Sequence, residues 1–339
     1  MEPRILPTTV IGSHPKPSWL IPPGYQDDET WSVPPEHLQE AQDDATILAI
    51  REMEEAGIDV ISDGEQRREN YLTYFCRKLS GFDFQRMTKK SIRADSFEWE
   101  VPRIVGPVRR RKPMALYDLQ FLKRHTAKPV RMVTPGPMTM LDSAADEYYG
   151  DEESLAMDLA AAVNEEIRAW CQEGIDVVQI DEPAFSRYPE KLNKWGWRAL
   201  NRCLEGVTAK TCVHLCYSYP VAGWSKAWPH DYEEILAEVE QSKVDQLALE
   251  FQATPFPLSK LRYCGGKEVI LGVVHVGNDR VETREEVADR LRQALQYISP
   301  EKLWVAPDCG LVLLPRELAR RKLVNMVKGA NIVRREIEP

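Results

Sequence analysis

Short apolar runs alternate with longer amphipathic segments between residues 8 and 337. The apolar runs are strand-sized and are bounded by polar or turn-forming residues, which is typical of buried strands. Eight strands are predicted in this way, at Thr8–Ser13, Asp59–Glu65, Pro129–Thr134, Val177–Pro183, Thr211–Tyr217, Asp245–Phe251, Glu268–Val276 and Leu303–Asp308.

The segments between these runs have the periodicity of amphipathic helices. In 152–172 and in 283–298 the apolar residues recur every three or four positions, which predicts one buried face on each helix. Thr283 and Glu286 have the spacing of a capping box at the start of the second helix. Gly174 follows the first helix, where a C-terminal cap is expected.

Eight strands that alternate with helices favour a parallel sheet, and their number favours closure into a (β/α)₈ TIM barrel. The competing open, doubly wound sheet is disfavoured because neither of its phosphate-binding glycine motifs is present. We expect one catalytic domain over residues 1–339, with 81–112 as an insertion between the second and third units. The basic run Arg109–Lys112 in that insertion predicts a solvated face, with contact to an anionic ligand or partner as the alternative.

Charge and composition narrow the function class. The 339 residues include 53 Asp and Glu against 44 Lys and Arg, a net charge of −9, which disfavours non-specific binding to nucleic acid. No apolar run approaches the ~20 residues of a membrane helix, and Met1–Pro7 lacks the apolar core of a secretory signal. Seven scattered cysteines do not indicate a disulfide scaffold. The expectation is a soluble cytoplasmic protein.

Polar groups concentrate at the carboxyl ends of the predicted strands, where barrel enzymes carry their active sites. Six of the eight strand ends carry them: Ile11-Gly12-Ser13, Asp63-Gly64-Glu65, Asp181-Glu182-Pro183, His214-Leu215-Cys216, Glu250 and Asp308-Cys309-Gly310. One buried His or Cys is usually a packing residue. A set of six ends that converge on one face instead predicts a functional site.

One imidazole, one carboxylate and two thiols in this set are suited to Zn²⁺. His214 and Cys216 are two residues apart on one strand, so both side chains point to the same face. An H-x-C pair alone is weak evidence, but Glu250 and Cys309 stand at neighbouring strand ends. Cys212 has the same parity but lies deeper, which indicates packing. The remaining cysteines are expected to be structural: Cys76, Cys171, Cys203 and Cys264.

The ligand types favour a catalytic over a structural zinc site. A carboxylate such as Glu250 is the ligand that an incoming thiol displaces most easily. Zinc lowers the pKa of a bound thiol and so yields a nucleophile at neutral pH. The predicted chemistry is alkyl transfer to sulfur.

Several motifs occur in the order of one known family. They are Thr8-Thr9-Val10-Ile11-Gly12-Ser13, Asp63-Gly64-Glu65, Gly136-Pro137-Met138-Thr139-Met140, Gln179-Ile180-Asp181-Glu182-Pro183, His214-Leu215-Cys216-Tyr217-Ser218 and Trp304-Val305-Ala306-Pro307-Asp308-Cys309-Gly310-Leu311. With these motifs the chain resembles, nearly end to end, the catalytic domain of cobalamin-independent methionine synthase. The short single-barrel members of that superfamily are the most similar. These motifs are highly specific for the superfamily, but they are less specific for the substrate that its members use.

The resemblance implies a ligand set and a substrate. The family's zinc ligands fall on His214, Cys216, Glu250 and Cys309. Its homocysteine contacts fall on Ile11, Gly12 and Ser13 for the carboxylate, and on Glu65 and Asp181 for the ammonium group. Acids beside a cation agree with the electrostatics of amino-acid binding. The alternative for the two acids is that they cap helices or pair with arginines.

Two departures from the family leave the methyl donor open. The proton donor of the full-length enzyme falls on Gly277, so His275 is the expected substitute, with Asp279 or no proton donor as alternatives. Asp142 and Ser143 stand where the folate-using enzymes have an aromatic platform, and the chain lacks their N-terminal barrel. A methylcorrinoid leaving group needs no proton. We therefore favour methylcobalamin or a corrinoid protein over 5-methyltetrahydrofolate.

Three functions remain to be distinguished. The first is a zinc-dependent methyltransferase that forms methionine from homocysteine. The second resembles the epoxyalkane–coenzyme M transferases and uses another thiol, whose sulfonate would need Arg67, Arg68 or Arg109–Arg111. The third is a non-catalytic barrel with a structural zinc. Four tryptophans are candidates to line a donor pocket: Trp19, Trp31, Trp224 and Trp228.

Overall fold

The structure is a computed structural model that describes residues 5–22, 31–93, 97–217, 230–254 and 256–338. Its strands are β1 (Phe82–Ile92), β2 (Phe97–Ile104), β3 (Arg131–Pro135), β4 (Ala145–Asp146), β5 (Val177–Asp181), β6 (Lys210–Leu215), β7 (Gln246–Leu249), β8 (Glu268–Val274) and β9 (Leu303–Pro307).

The α-helices are α1 (Leu38–Ala56), α2 (Thr73–Cys76), α3 (Leu116–His125), α4 (Pro137–Asp142), α5 (Glu152–Gln172), α6 (Pro189–Lys191), α7 (Trp197–Cys203), α8 (Tyr232–Ile235), α9 (Arg284–Ala294) and α10 (Arg316–Ile337). Short 3₁₀ turns lie at Pro35–His37, Pro183–Ser186, Val239–Gln241, Leu258–Tyr263 and Pro300–Lys302, and a π turn lies at Leu192–Gly196. Within the described residues, no helix has both the length and the hydropathy that a membrane span requires.

The parallel strands form a ring. Six of them are hydrogen-bonded in the order β3-β5-β6-β7-β8-β9. Two short segments fill the gap between β9 and β3, because Thr8 bridges to Val305, Thr9 to Val60, and Ile61 to Val130. The N–H of Thr9 donates to the carbonyl of Val305 at 2.9 Å, which joins the first segment to β9. The eight-membered parallel arrangement predicted from the sequence is confirmed.

The first two predicted strands are shorter than expected. Thr8–Ser13 and Asp59–Glu65 contribute isolated bridges and not full strands. Gly12 and Gly64 have φ of +60° and +62°, and Glu65 itself has φ of +56°. A left-handed backbone cannot continue a strand, so each segment turns sharply at the carboxyl end of the barrel strands.

The predicted insertion between the second and third units is an antiparallel hairpin of β1 and β2. It is attached to the barrel because β2 pairs in parallel with β4. In the basic run that follows, Arg109, Arg111 and Lys112 are exposed, as predicted for a solvated face, and Arg110 is half-buried. Arg109 pairs with Asp158, and Arg110 donates to the fully buried Glu166 at 2.8 Å.

The outer helices confirm the predicted periodicity. α5 spans the 152–172 segment and buries Leu155, Leu159 and Ile167. α9 begins with the predicted capping box, in which Thr283 and Glu286 bond reciprocally. α9 ends at Ala294, four residues before the predicted end at Ile298.

Candidate active site

A cavity opens at the carboxyl ends of the barrel strands, and most of the predicted site residues line it. These are Ile11, Gly12, Ser13, Glu65, Asp181, His214, Cys216 and Cys309. They come from five separate segments of the chain. The alternation of strand side chains and the turns at strand ends therefore bring them together in the predicted manner.

Three of the predicted metal ligands converge. Ligand atoms of His214, Cys216 and Cys309 lie within 4.8 Å of one another, and all three residues are buried. The two sulfur atoms are 3.7 Å apart. His214 and Cys216 meet because β6 carries His214 and ends one residue before Cys216.

The surroundings of His214 fit a metal ligand. Its Nδ1 lies 3.3 Å from the carbonyl oxygen of Ala248, which assigns the ring proton to Nδ1. Its Nε2 is buried and makes no hydrogen bond within the described part of the chain. In a zinc-binding histidine, one ring nitrogen usually donates its N–H to a protein oxygen, which leaves the other nitrogen to bind the metal.

The Cys309 thiol also requires a cation if it is to ionise. A hydrogen bond with Cys216 and burial raise the pKa of the Cys309 thiol well above its ordinary range. The charges of Asp181 and Glu250 raise this pKa further. A buried thiol among anions becomes a thiolate only beside a positive charge. The donor set therefore fits Zn²⁺, which takes nitrogen and thiolate ligands.

Glu250 lies directly after β7 and is fully buried. Its backbone carbonyl accepts hydrogen bonds from Tyr232 Oη and Thr254 Oγ1, both at 2.9 Å. Its charge acts on Cys309, but the three-residue cluster does not include its carboxylate. Its role as the fourth ligand stays a prediction.

Two acids stand beside the cluster. Ser13 Oγ donates to the carboxylate of Glu65, and Arg68 Nη1 lies 3.1 Å from Glu65 Oε1. Burial raises the pKa of Asp181 to about 6. Gln179 Nε2 donates to Asp181 Oδ1 at 2.5 Å. Glu65 thus pairs with an arginine and also lines the cavity, and its contact with an ammonium group stays a prediction.

Below the cavity, a fully buried arginine supports Asp181. Arg131 donates to Thr9 Oγ1 at 3.0 Å and also to Gln179 Oε1. Because the amide oxygen of Gln179 accepts from Arg131, its NH₂ group must face Asp181. The Gln179 in the sequence motif thus fixes the orientation of the acid two residues later.

The side chain of Glu182 links two sequence motifs, residues 136–140 and 179–183, that showed no connection in the sequence. Its carboxylate accepts the backbone N–H groups of Met138 and Thr139, both at 2.9 Å. A Cβ on Gly136 would lie 2.2 Å from that carboxylate. The Gly136-Pro137 turn therefore needs glycine because Glu182 packs directly against it.

Other predicted residues lie outside this cavity. Among the described residues, His275 is not part of its lining, and its Nδ1 accepts the N–H of Gly277 at 3.0 Å. Its role as a proton donor stays a prediction. Trp19 and Trp31 do not line it either, whereas Trp224 and Trp228 lie outside the described residues.

The basic groups proposed for a sulfonate are not among the described lining residues of the cavity. Arg67 pairs with Asp43 at 2.6 Å and stacks over Phe121. Arg68 pairs with Glu65, and the Arg109–Arg111 run contributes no residue to the lining found in the described chain.

Sequence reasoning missed four side chains of the cavity wall. They are Tyr71, Thr139, Arg93 and Arg187. Thr139 belongs to the Gly136–Met140 motif, which could have identified it from the sequence. Arg93 follows the hairpin strand β1 and Arg187 follows a 3₁₀ turn, so neither stands at the end of a barrel strand, where functional residues were expected.

Comparisons with known proteins identify the family of this fold. The family described as cobalamin-independent synthase, catalytic domain, matches residues 6–332. Methionine synthases of Sulfolobus acidocaldarius and Thermococcus kodakarensis are 37% and 38% identical, each over 99% of this chain and 95% and 96% of their own lengths. A solved structure of a B12-independent methionine synthase from Shewanella sp. W3-18-1, in complex with selenomethionine, superposes with a TM-score of 0.94. It is 37% identical and the match covers 98% of this chain and 99% of that one.

Proposed function

The chain belongs to the cobalamin-independent synthase family, as a methionine-synthase-like enzyme, and on that premise we propose that it methylates the thiol of homocysteine with the help of zinc. The observation that carries the proposal is the convergence of His214, Cys216 and Cys309 in a cavity that Asp181 also lines. The Shewanella relative was solved with selenomethionine, an analogue of the product methionine.

His214, Cys216 and Cys309 would hold the zinc, with Glu250 as the fourth ligand. Zinc bound there would lower the pKa of an entering thiol so that it reacts as a thiolate at neutral pH. The fit rests on the buried Nε2 of His214 and on the Cys309 thiol, which needs a cation to ionise.

The chain itself orients the amino acid. Asp181 and Glu65 bind the ammonium group, and the loop of Ile11–Ser13 binds the carboxylate. With both charged ends fixed, the thiol side chain extends towards the two cysteines. The sulfur then attacks the donor's methyl group in line, so that the S–CH₃ bond forms while the bond to the donor breaks.

Two of the family's expected donor-binding features are absent from the described cavity lining, which does include the ring of Tyr71. Asp142 and Ser143 line the cavity at the position of the expected aromatic platform. His275 is not part of the described lining. We therefore favour a methylcorrinoid, with 5-methyltetrahydrofolate as the second donor to be assayed.

Zinc K-edge absorption tests the proposal on the purified full chain. We expect two sulfur ligands, from Cys216 and Cys309, and a third when homocysteine is added, with loss of one oxygen ligand. The same sample should form methionine from homocysteine with methylcobalamin or 5-methyltetrahydrofolate. If the zinc ligands do not change when homocysteine is added, the proposal that homocysteine is the substrate is wrong. If the purified protein contains no zinc, the proposal that the enzyme uses zinc is wrong.

A further inference from the structure

The inserted hairpin is fixed to the catalytic face of the barrel. Lys90 of β1 donates through Nζ to the carbonyls of Leu141, Asp142 and Ala144, at 3.1, 2.9 and 2.7 Å. An ammonium group that binds the last carbonyls of a helix is a favourable C-terminal cap, here for α4. The pairing of β2 with β4 adds a second attachment.

This attachment brings Arg93 into the cavity. β1 ends at Ile92, which is buried, and Arg93 then turns with φ of +56°. The N–H of Arg93 donates to Asp142 Oδ2 at 3.2 Å. The side chain of Arg93 lines the same cavity as His214 and Cys309. The insertion therefore contributes to the active site.

Arg93 does not stand alone on this wall. Arg187 also lines the cavity, and burial together with the charge of Arg93 lowers the pKa of its guanidinium group. Asp142 offsets part of this charge, and its Oδ1 accepts from Tyr188 Oη at 2.9 Å. Two half-buried guanidinium groups therefore line this cavity, and the carboxylate of Asp142 is among the other lining groups.

We propose that Arg93 and Arg187 form an anion-binding subsite for a carboxylate or phosphate group of the methyl donor. The proposal rests on the proposed function, in which the carboxylate of homocysteine is bound by the Ile11–Ser13 loop. The anion at the arginines must then belong to the second substrate. Guanidinium groups bind carboxylates and phosphates through paired, charge-assisted hydrogen bonds.

Donor kinetics of Arg93→Met and Arg187→Met in the zinc-loaded full chain test this subsite. We expect the KM for an anionic donor to rise about tenfold or more, the usual effect of losing a charge-assisted hydrogen bond. Zinc content and the KM for homocysteine should stay within about twofold of wild type. Arg187→Lys keeps the charge and should restore part of the affinity. Arg86→Met, which removes an exposed hairpin arginine paired with Asp83, is the matched control and should change nothing.

Four donor probes distinguish the source of the anion. Methylcobalamin carries a phosphodiester that methylcobinamide lacks, and 5-methyltetrahydrofolate is used with one and with three glutamates. A KM penalty with methylcobalamin and not with methylcobinamide assigns a phosphate. A penalty that grows with the number of glutamates assigns a carboxylate. Unchanged KM values for every donor, or an increase confined to homocysteine, would overturn the subsite.

Equilibrium dialysis separates this proposal from the proposed function. If wild-type protein turns over none of the donors, the choice of donors in the proposed function fails. Binding of methylcobalamin or of the triglutamate to wild type, lost in the double variant, still supports the subsite. Equal binding to both proteins, or no binding to wild type, rejects it.

Discussion

The carboxylate of Asp308 accepts the backbone N–H of Phe251, with 3.0 Å between Oδ1 and N. It also accepts the N–H groups of Gln252 and Ala253. Phe251 directly follows Glu250 and Asp308 directly precedes Cys309. One side chain therefore ties together the loops that carry two of the four predicted zinc ligands.

Asp308→Asn should weaken zinc binding by about tenfold to a hundredfold, the usual effect of losing a residue that orients metal ligands. The physical reason is that an amide presents one acceptor oxygen where the carboxylate presents two. Chelator competition measures the change. The matched control is Asp245→Asn at the opposite end of the barrel, where Asp245 accepts the N–H and Oγ1–H of Thr211, both at 2.8 Å. That variant should lose stability and keep its zinc affinity. Equal zinc affinity in wild type and Asp308→Asn would contradict the prediction.

Cys309→Ser should abolish methyl transfer and reduce bound zinc to well below one equivalent, because a serine hydroxyl does not replace a thiolate ligand. Metal analysis and methionine formation measure the two effects. Cys171→Ser is the control, since Cys171 lies half-buried on α5, remote in sequence from the predicted ligands. A Cys309→Ser protein with full zinc and full activity would show that the cluster is not the metal site.

The sequence was sufficient to predict the cluster of His214, Cys216 and Cys309 because strand geometry is local. The two-residue spacing of His214 and Cys216 fixes their shared face whatever the rest of the fold does. Cys309 follows from the rule that all barrel strands end on the same side. The backbone turn at Glu65 was not predictable, because a positive φ at a non-glycine residue depends on surrounding contacts. One such contact is the hydrogen bond that the N–H of Glu65 donates to Asp63 Oδ1 at 3.1 Å.

Arg93 was missed for a different reason. Its position depends on how a hairpin docks on α4 through Lys90, which is tertiary packing without a sequence period. The basic run Arg109–Lys112 attracted attention by its charge density, yet Arg110 pairs with buried Glu166. Charge runs are visible in a sequence, whereas the partner of each charge is not.

Asp181→Asn should raise the KM for homocysteine by about tenfold to a hundredfold, because a charge-assisted hydrogen bond to the ammonium group is lost. Steady-state kinetics measure this value, and zinc content should not change. The desamino analogue 4-mercaptobutanoate provides the control. It should inhibit wild type weakly, and its inhibition constant should be the same for Asp181→Asn, because it has no ammonium group. If the substitution weakened the binding of both thiols equally, Asp181 would have a structural role.

The last helix closes the amino-terminal end of the barrel through an ion pair. Arg334 of α10 donates to the carbonyl of Leu6 at 2.7 Å and pairs with Asp59. Asp59 in turn accepts the N–H and the hydroxyl of Thr8, both at 2.8 Å. Although burial raises the pKa of Asp59, the hydrogen bonds from Thr8 and the charge of Arg334 leave it lower than its ordinary value.

Asp59→Asn should therefore lower the free energy of unfolding by about 2 kcal/mol at neutral pH, the scale of lost bonds to a charged group. A lowered folded-state pKa stabilises the protein above the ordinary value of about 4 and ceases to do so as the pH falls through the folded-state pKa. The difference between wild type and variant should thus be constant near neutrality and shrink below about pH 4. Urea unfolding at several pH values measures it. Asp289→Asn, which breaks the exposed pair with Arg292, should cost less than about 1 kcal/mol at every pH. A pH-independent difference for Asp59→Asn would mean that packing, and not the charge of Asp59, closes the barrel.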